Sequence, residues 1–505
     1  MSSTTGADGS ADEGVQLVRD ETGTRSTTAV TRAVVAEALG AVDPQAGARA
    51  GAAKDWRTSY LEHVVVLTAA GARSSEACLN VARTGVDALR ARTVLVRDGV
   101  ERPVGEALGS PGTPLGTTRL VGEGDRQRDL AVPYRGELLR GDALRRQLDA
   151  WVAAGAVEPS FRTAVSMVQD HPEWLDLSDR AVAVLGAGAE MGPVEQLLGW
   201  GATVLAVDVP DERVWGRLRA TARAGAGTVL APATGHVPGA DVLLQTPELA
   251  TWLEATAPDL PLTVGSYAYA DGGTHLRLAF AADALVVHLL SRRSDVGYAE
   301  LATPTDAFVL PLEVVQEARR RYAARGVTGL LQAPARQAGL YAPAYTREVP
   351  TDDGREVGVT DSLVPQQGPN YALAKRLQRW RALVGAADGI AVSANVAPAT
   401  RTRSVTKNKV LAAAYAGAHR FGVEVFEPAT SRTLMAALLV HDLRQPPPVL
   451  DHPDDLFARN AAHGGFWRCA YAPRTVLPLA ALAGAPGLLL RRGGSRAAST
   501  AGSRW

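Results

Sequence analysis

Two side chains that could together exchange a proton stand at Tyr371 and Lys375, in the pattern YxxxK. We predict a helix there, and this spacing puts both side chains on one face of it. A tyrosine with its ordinary pKa of about 10 is a poor acid–base catalyst at neutral pH. A neighbouring ammonium group stabilises the phenolate and lowers that pKa. The pair is therefore the first candidate for catalysis.

A second candidate is the glycine-rich stretch 181–208, AVAVLGAGAEMGPVEQLLGWGATVLAVD. One apolar run leads into Gly186 and Gly188, a short amphipathic segment follows Gly192, and a second apolar run ends at Asp208. This order predicts a strand, a tight turn, a helix and a strand. Glycines let the backbone approach a pyrophosphate, and a carboxylate after the second strand can accept both ribose hydroxyls. The stretch therefore predicts a nucleotide site.

The arrangement resembles the dinucleotide-binding (Rossmann) fingerprint, with the glycine spacing GxGxxxG. Met191 and Glu190 stand where two commoner spacings would have glycine. The resemblance implies an α/β fold with a doubly wound parallel sheet and a bound NAD, with NADP as the other choice. An acidic residue at 208 repels a 2′-phosphate and so favours NAD. The alternative is a doubly wound domain whose glycine turn binds no ligand.

The region after Tyr371 resembles the short-chain dehydrogenase/reductase family, in which YxxxK is followed by a helix, a strand and a proline-containing loop with a threonine. The resemblance implies that Tyr371 is the catalytic tyrosine and that Lys375 assists it and holds the cofactor ribose. It also places Pro398 and Thr402 over the nicotinamide. The family has a catalytic serine before the tyrosine, and Ser362 is the nearest candidate here.

These features predict an NAD(P)-dependent oxidoreductase that acts on a small carbonyl or alcohol substrate. The stretch VLGAGAEMG…VLAVD also resembles the first motif of S-adenosylmethionine-dependent methyltransferases. The sheet of those enzymes typically ends in an antiparallel seventh strand, which separates the two functions. A third alternative is a non-catalytic nucleotide-binding or membrane-peripheral protein, in which Tyr371 and Lys375 have no catalytic role.

Composition shifts divide the chain into four predicted parts. These are a disordered tail at 1–28, a mostly helical N-terminal domain at 29–178, a Rossmann-like nucleotide-binding domain at 179–445 with an insertion near 326–360, and an apolar segment with a basic tail at 446–505. Within them we predict a hairpin joining 117–121 to 130–134, strands at 241–244 and 423–426, and helices at 275–291 and 313–324.

The composition narrows the classes of partner. The 505 residues carry a net charge of zero, so bulk electrostatics does not favour nucleic acid. Two cysteines and no apolar run long enough for a membrane span indicate a cytoplasmic protein. The spacing of His441, His452 and His463 matches no metal-ligand pattern, so we expect no metal. We expect a homo-oligomer, and the apolar stretch 464–490 either packs inside the protein or makes a peripheral membrane contact.

Overall fold

The computed structural model describes residues 12–110, 112–346 and 348–485. Sixteen strands are present there: β1 (Gly14–Leu17), β2 (Thr93–Arg97), β3 (Val100–Pro103), β4 (Gly116–Val121), β5 (Val132–Tyr134), β6 (Glu137–Leu139), β7 (Ala181–Leu185), β8 (Thr203–Val207), β9 (Thr228–Thr234), β10 (Val237–Pro238), β11 (Leu262–Ser266), β12 (Val296–Ala302), β13 (Val309–Pro311), β14 (Glu348–Pro350), β15 (Glu356–Val359) and β16 (Val392–Val396).

The helices of the described residues are α1 (Thr27–Gly40), α2 (Pro44–Gly51), α3 (Trp56–Gly71), α4 (Ser75–Arg90), α5 (Val104–Leu108), α6 (Gly141–Ala154), α7 (Pro159–Asp170), α8 (Val194–Gly199), α9 (Glu212–Ala224), α10 (Thr246–Ala255), α11 (Gly273–Arg292), α12 (Leu312–Ala323), α13 (Gly326–Leu331), α14 (Ala333–Gln337), α15 (Gly368–Ala387), α16 (Arg403–Lys407), α17 (Lys409–Gly417), α18 (Pro428–Arg444) and α19 (Asp455–Ala458). Residues 473–485 are also helical.

Within the described residues the central sheet has eight strands, seven of them in the order β10-β9-β8-β7-β11-β12-β16, while β4 also pairs with β9. The six strands from β9 to β16 are parallel to their neighbours, and β4 joins the β9 edge antiparallel. The chain therefore builds outward from β7 to β8 and β9, and then returns to the other side of β7 at β11. The predicted α/β class with a parallel sheet is confirmed at this level.

Helices cover both faces of this sheet, and β7 shows how. All five of its residues are buried. Ala183 and Leu185 join a core with residues of α1, α4, α11 and α15, whereas Val182 and Val184 join a core with residues of α7, α8, α9 and α18. A strand buried on both faces needs a continuous apolar run, which is the pattern of this stretch.

Helix α15 is anchored by buried ion pairs. Asp306, in the loop after β12, accepts hydrogen bonds from Arg376 at 2.7 Å and from Arg379 at 2.9 Å. Further along α15, Arg381 pairs with Asp283 of α11. All five side chains are almost fully buried, so each charge needs its partner. These pairs fix the helix that carries Tyr371 and Lys375 against the sheet.

The N-terminal region shares its core with the rest of the chain. Helices α1 and α4 pack against α15, and β4 is part of the central sheet. The predicted hairpin is wrong, because β4 pairs with β9, and β5 pairs with β6. The predicted disorder of 1–28 is also wrong for the residues that the structure describes. Strand β1 pairs with β2 there, and Ser26 caps α1. Residues 1–11 lie outside the described residues.

Some predicted elements are confirmed and others are not. The helices at 275–291 and 313–324 correspond to α11 and α12. The segment 241–244 is a turn, in which Asp241 accepts from the backbone N–H groups of Leu243 and Leu244. The segment 423–426 makes only one isolated bridge, between Phe426 and Thr400. The segment predicted as an insertion contains α13, α14, β14 and β15, and the two strands form a small sheet with β13.

Two apolar segments bear on membrane contact. Within the described residues one helix, α11, is long and apolar enough to span a membrane, and 56% of its most apolar window is buried inside the protein. That burial is typical of a core helix. In the C-terminal segment, Phe466, Trp467 and Cys469 are buried, and Leu482 is exposed. Residues 486–490, which belong to the predicted membrane contact, lie outside the described residues.

The contact between α4 and α15 can be tested at Gly85. A Cβ at this position would lie 2.4 Å from the Trp380 ring, and that ring is buried. We expect Gly85→Ala to lower the free energy of unfolding by about 1–3 kcal/mol through overpacking, measured by urea denaturation. The control is Gly216→Ala in α9, where nothing lies within 4 Å, and it should stabilise the protein by about 0.5–1 kcal/mol. Unchanged stability of Gly85→Ala would contradict this packing.

Candidate functional site

A cavity of about 1000 Å³ lies at the carboxyl-terminal edge of the parallel sheet. Residues that follow β7, β8, β11, β12 and β16 line it, together with the start of α15. Because the strands are parallel, all these ends meet at one edge. The volume is at the upper end of the range for small-molecule sites. The cavity can therefore hold a cofactor together with a second ligand.

The glycine turn after β7 forms one wall of the cavity. Gly186 has a φ of +87°, and a Cβ there would lie 2.4 Å from Cα of Ala268, which follows β11. The Gly188 N–H donates to Oδ2 of Asp208 at 2.7 Å. Gly186, Gly188 and Asp208 all line the cavity. Gly192 is not a lining residue, and its N–H closes a turn onto the carbonyl oxygen of Ala189.

The helix after the turn is short. Helix α8 has six residues, and Pro193 is its N-cap. The turn is held instead from across the cavity. Glu190 accepts a hydrogen bond at 2.8 Å from the backbone N–H of Arg403, and Arg432 donates to the Glu190 carbonyl oxygen. Nothing in the local sequence predicts these contacts.

Asp208 lies at the end of β8, as predicted, and its carboxylate is already hydrogen-bonded. Oδ2 accepts from Gly188, and Oδ1 accepts from the N–H of Val209 at 2.9 Å. Burial raises the pKa of Asp208, and these two hydrogen bonds and the nearby Arg217 act in the opposite direction. A carboxylate has about four lone-pair sites, so Asp208 can still accept a ligand hydroxyl.

Tyr371 lies in the first turn of α15 and lines the same cavity. Its ring stacks on His275 with a centroid distance of 5.4 Å and an interplanar angle of 20°. Burial raises the pKa of Tyr371, and a hydrogen bond with Thr303 opposes that shift. The predicted lowering of this pKa by Lys375 is therefore wrong: the loss of solvent around the phenol decides the direction.

Lys375 lies one turn further along α15 and also lines the cavity. Its Nζ donates to the carbonyl oxygen of Leu301 at 3.1 Å and to Oε1 of Gln378 at 2.8 Å. Gln378 in turn donates to Oγ of Ser266 at 2.9 Å. Burial lowers the pKa of Lys375, whereas the nearby carboxyl of Glu300 raises it. An ammonium group has three N–H donors, so one remains for a ligand.

Of the remaining predicted site residues, two line the cavity and one does not. Pro398 and Thr402 follow β16 and line the cavity. Thr400, between them, donates to the Pro398 carbonyl oxygen at 2.8 Å and also bonds Ser431. Ser362 is 1% exposed and lies outside the set of cavity-lining residues. The structure therefore brings the tyrosine, the lysine and the proline loop together and places the candidate serine elsewhere.

His275 is a cavity residue that we did not predict. It is 2% exposed, its Nδ1 accepts from the N–H of Ala270 at 3.5 Å, and its Nε2 has no hydrogen-bond partner among the described residues. Burial, with a smaller effect of Lys375, lowers the pKa of His275 to about 3. The ring is therefore neutral, with its proton on Nε2. The only sequence signal was a histidine near the start of a mostly apolar helix.

Glu300, on β12, is a second group that sequence reasoning missed. It is 1% exposed, and neither carboxylate oxygen has a partner among the described residues. Burial raises its pKa to about 7, while Lys375 and Arg379 act to lower it and Asp306 to raise it. Its position inside an apolar strand run gave no sign of this environment.

A separate group of potential metal ligands comprises Cys78, His452 and Asp454, whose ligand atoms lie within 4.8 Å of one another. Cys78 contacts Oδ2 of Asp454 at 3.6 Å, and Oδ1 of Asp454 accepts from Arg379. Asp454 thus already serves a buried ion pair. The other two histidines considered from the sequence lie apart from this group: His441 bonds Asp442, and His463 bonds Glu158.

No protein-family model matches this chain, and comparison with curated proteins finds no match. The geometry of the cavity is therefore the basis for assigning a function.

The buried carboxyl predicts a pH dependence of stability. A folded-state pKa raised from 4.5 to about 7 favours the protonated form of Glu300. Its stabilising contribution is complete below pH 4.5 and is lost as the pH rises through 7. We expect Glu300→Gln to raise the free energy of unfolding at pH 8 by up to ~3 kcal/mol and to change it little at pH 5. The measurement is urea denaturation at both pH values.

The matched control is Glu123→Gln, because the Glu123 side chain is 72% exposed. It should leave stability unchanged at both pH values. An equal effect of Glu300→Gln at pH 5 and pH 8 would show that Glu300 does not titrate as described.

Proposed function

We propose that this protein is an oxidoreductase that uses a nicotinamide dinucleotide, NAD in preference to NADP, and acts on an alcohol or carbonyl substrate. The observation that carries the proposal is one shared cavity. It joins the glycine turn and Asp208 to Tyr371 and Lys375, although the two sets are far apart in the sequence. A cofactor-binding half and a proton-transfer half therefore meet in one space.

The strand order supports a Rossmann-like, doubly wound fold. The six parallel strands, numbered as they occur along the chain, lie in the order 3-2-1-4-5-6. That is the order of dinucleotide-binding sheets, which bind their ligand outside the carboxyl ends of the strands where the order reverses. The reversal here falls between β7 and β11. Gly186 and Ala268, which follow these two strands, meet at the cavity wall.

The far end of the sheet favours a dinucleotide over S-adenosylmethionine. Strand β16 lies directly beside β12 and parallel to it. Among the described residues, the antiparallel strands of this sheet, β4 and β10, both pair with β9 at the opposite end. The antiparallel seventh strand typical of the methyltransferases therefore has no counterpart next to β16 in the described part of the chain.

The cavity residues suit the parts of a dinucleotide. A Cβ at Gly188 would lie 2.7 Å from Val214 and 3.1 Å from Asp208, so this position has no room for a side chain. Asp208 can accept hydrogen bonds from a ribose. Arg403 and Lys407 line the same cavity, and their positive charges would attract phosphate oxygens. These cations would supply the positive charge for phosphate that the N-terminus of the short helix α8 does not provide.

A bound nicotinamide dinucleotide would supply or accept the hydride. The high pKa of Tyr371 keeps its hydroxyl protonated at neutral pH, so it would donate the proton to the oxygen of a carbonyl substrate. The neutral His275 offers an N–H at Nε2 to the same oxygen. Lys375 has one N–H donor left for the cofactor ribose or the substrate.

Ligand-dependent stabilisation tests the cofactor assignment. NADH at 100 times its dissociation constant should stabilise the folded protein by about 2.7 kcal/mol, measured as a rise in melting temperature. NADPH should bind more weakly, because Asp208 repels the 2′-phosphate. S-adenosylmethionine should have no effect. A shift with S-adenosylmethionine alone, or with none of the three, would overturn the proposal.

The role of Tyr371 is tested by Tyr371→Phe. We expect turnover of an alcohol or ketone substrate to fall by about 10²–10⁴-fold, because the proton donor is lost. The NADH-induced rise in melting temperature should persist. The control is Tyr269→Phe, which changes another cavity tyrosine, one that is 50% exposed. It should keep its turnover. Equal turnover by Tyr371→Phe and the unmodified protein would exclude Tyr371 from catalysis.

A further inference from the structure

The part of the cavity that the C-terminal elements line differs in chemical character from the glycine turn. Its walls come from α17, from Phe421 and Val423, and from residues 466–480. The side chains there include Leu411, Ala414, Tyr415, Phe466, Val476 and Leu477. We call this part of the cavity the apolar chamber.

Charge is nearly absent from the apolar chamber. Among the described residues of these walls that line the cavity, Arg474 is the one charged side chain, and its guanidinium pairs with Asp361. Burial alone raises the pKa of Tyr415 to about 12, with no charged group contributing. A ligand group that entered here would leave water without gaining an ionic partner. The chamber therefore suits hydrocarbon and disfavours charge.

The chamber adjoins the proposed proton donor. Tyr415, in its wall, lines the same cavity as Tyr371. Tyr371, Lys375 and His275 line the same continuous cavity. A ligand whose oxygen reached Tyr371 would therefore extend its remaining atoms into the chamber.

The chamber walls are held in place by a close contact between helices. A Cβ at Gly417 of α17 would lie 2.1 Å from the carbonyl oxygen of Ala480, and a Cβ at Gly484 would lie 2.0 Å from that of Ala413. The backbones of α17 and of residues 473–485 thus pack directly on each other. Larger side chains would force them apart, so this contact sets the distance between the two helical walls of the chamber.

We infer that the substrate is an alcohol or carbonyl compound with an uncharged hydrocarbon body, which the apolar chamber binds while the oxygen faces Tyr371. This inference rests on the proposed function only for the substrate oxygen that faces Tyr371. The hydrocarbon body would supply binding affinity through burial, at about 0.8 kcal/mol per methylene group. Small hydrophilic alcohols would not fill the chamber, so they should bind weakly.

Titration with straight-chain alcohols tests this inference. The series 1-butanol, 1-hexanol, 1-octanol and 1-decanol is titrated calorimetrically without nucleotide. The dissociation constant should fall by about fourfold per added methylene group until the chamber is filled. The diol 1,8-octanediol should bind at least tenfold more weakly than 1-octanol, because its second hydroxyl would be buried unpaired. Affinity independent of chain length, or equal binding of the diol, would overturn the inference.

A pair of matched variants locates the binding. Leu477→Asn changes the chamber wall and should weaken 1-octanol at least tenfold, with little effect on 1-butanol. Leu482→Asn lies in the same helical segment but is 71% exposed and outside the lining, so it should bind like the unmodified protein. If Leu477→Asn does not fold, Leu411→Asn tests the α17 wall in the same way. Equal weakening by the control variant would contradict the location.

The titrations separate this inference from the proposed function. Chain-length-dependent binding of alcohols without any NADH-induced stabilisation would support hydrocarbon binding in the apolar chamber and contradict the oxidoreductase function. NADH-induced stabilisation with no alkanol binding would support the nicotinamide cofactor and contradict hydrocarbon binding in the chamber.

Discussion

The buried pairing of Asp306 with two arginines of α15 is the interaction on which the candidate site most depends. Asp306 follows β12 and bonds both Arg376 and Arg379 in a place that solvent does not reach. Removing one partner from such a group typically costs about 3–5 kcal/mol, because a charge would be left buried alone. The pairing ties α15 to the sheet edge where the parallel strands end. It therefore sets the positions of Tyr371 and Lys375 relative to the glycine turn.

Burial also determines the charge state of the site. The pKa values of Tyr371, Asp208 and Glu300 are raised, and those of His275 and Lys375 are lowered. Every one of these shifts favours the neutral form. The burial that causes these shifts also strengthens each hydrogen-bond donor around Tyr371, since the local dielectric constant is low. The unpartnered Nε2 of His275 is such a donor.

The glycine turn departs from the arrangement that its resemblance implied, and the rest of the chain compensates. Helix α8 is short, and Glu190 stands where one of the commoner spacings has glycine. Glu190 instead accepts from the backbone of Arg403, which brings α16 across the turn. The cations of α16 thereby reach the cavity. The unusual spacing is thus part of a contact between the two ends of the site.

The sequence by itself determined the local elements and much of the candidate site. Apolar runs and helical periodicity predicted β7, β8, α11 and α15, because local burial patterns repeat with each element's own period. The glycines after one apolar run and the acidic residue after the next predicted a site at Gly186, Gly188 and Asp208. The YxxxK spacing predicted that Tyr371 and Lys375 lie on one face of a helix. All five line one cavity.

Only the tertiary structure decided the rest, because these features depend on residues far apart in the chain. The pairing of β4 with β9 replaces the predicted local hairpin, since the edge of a sheet accepts any strand that packs there. Ser362 lies outside the cavity, and the apolar chamber joins α17 to residues 466–480. The pKa directions of Tyr371 and Glu300 follow from the exclusion of water, which no spacing of residues along the chain encodes.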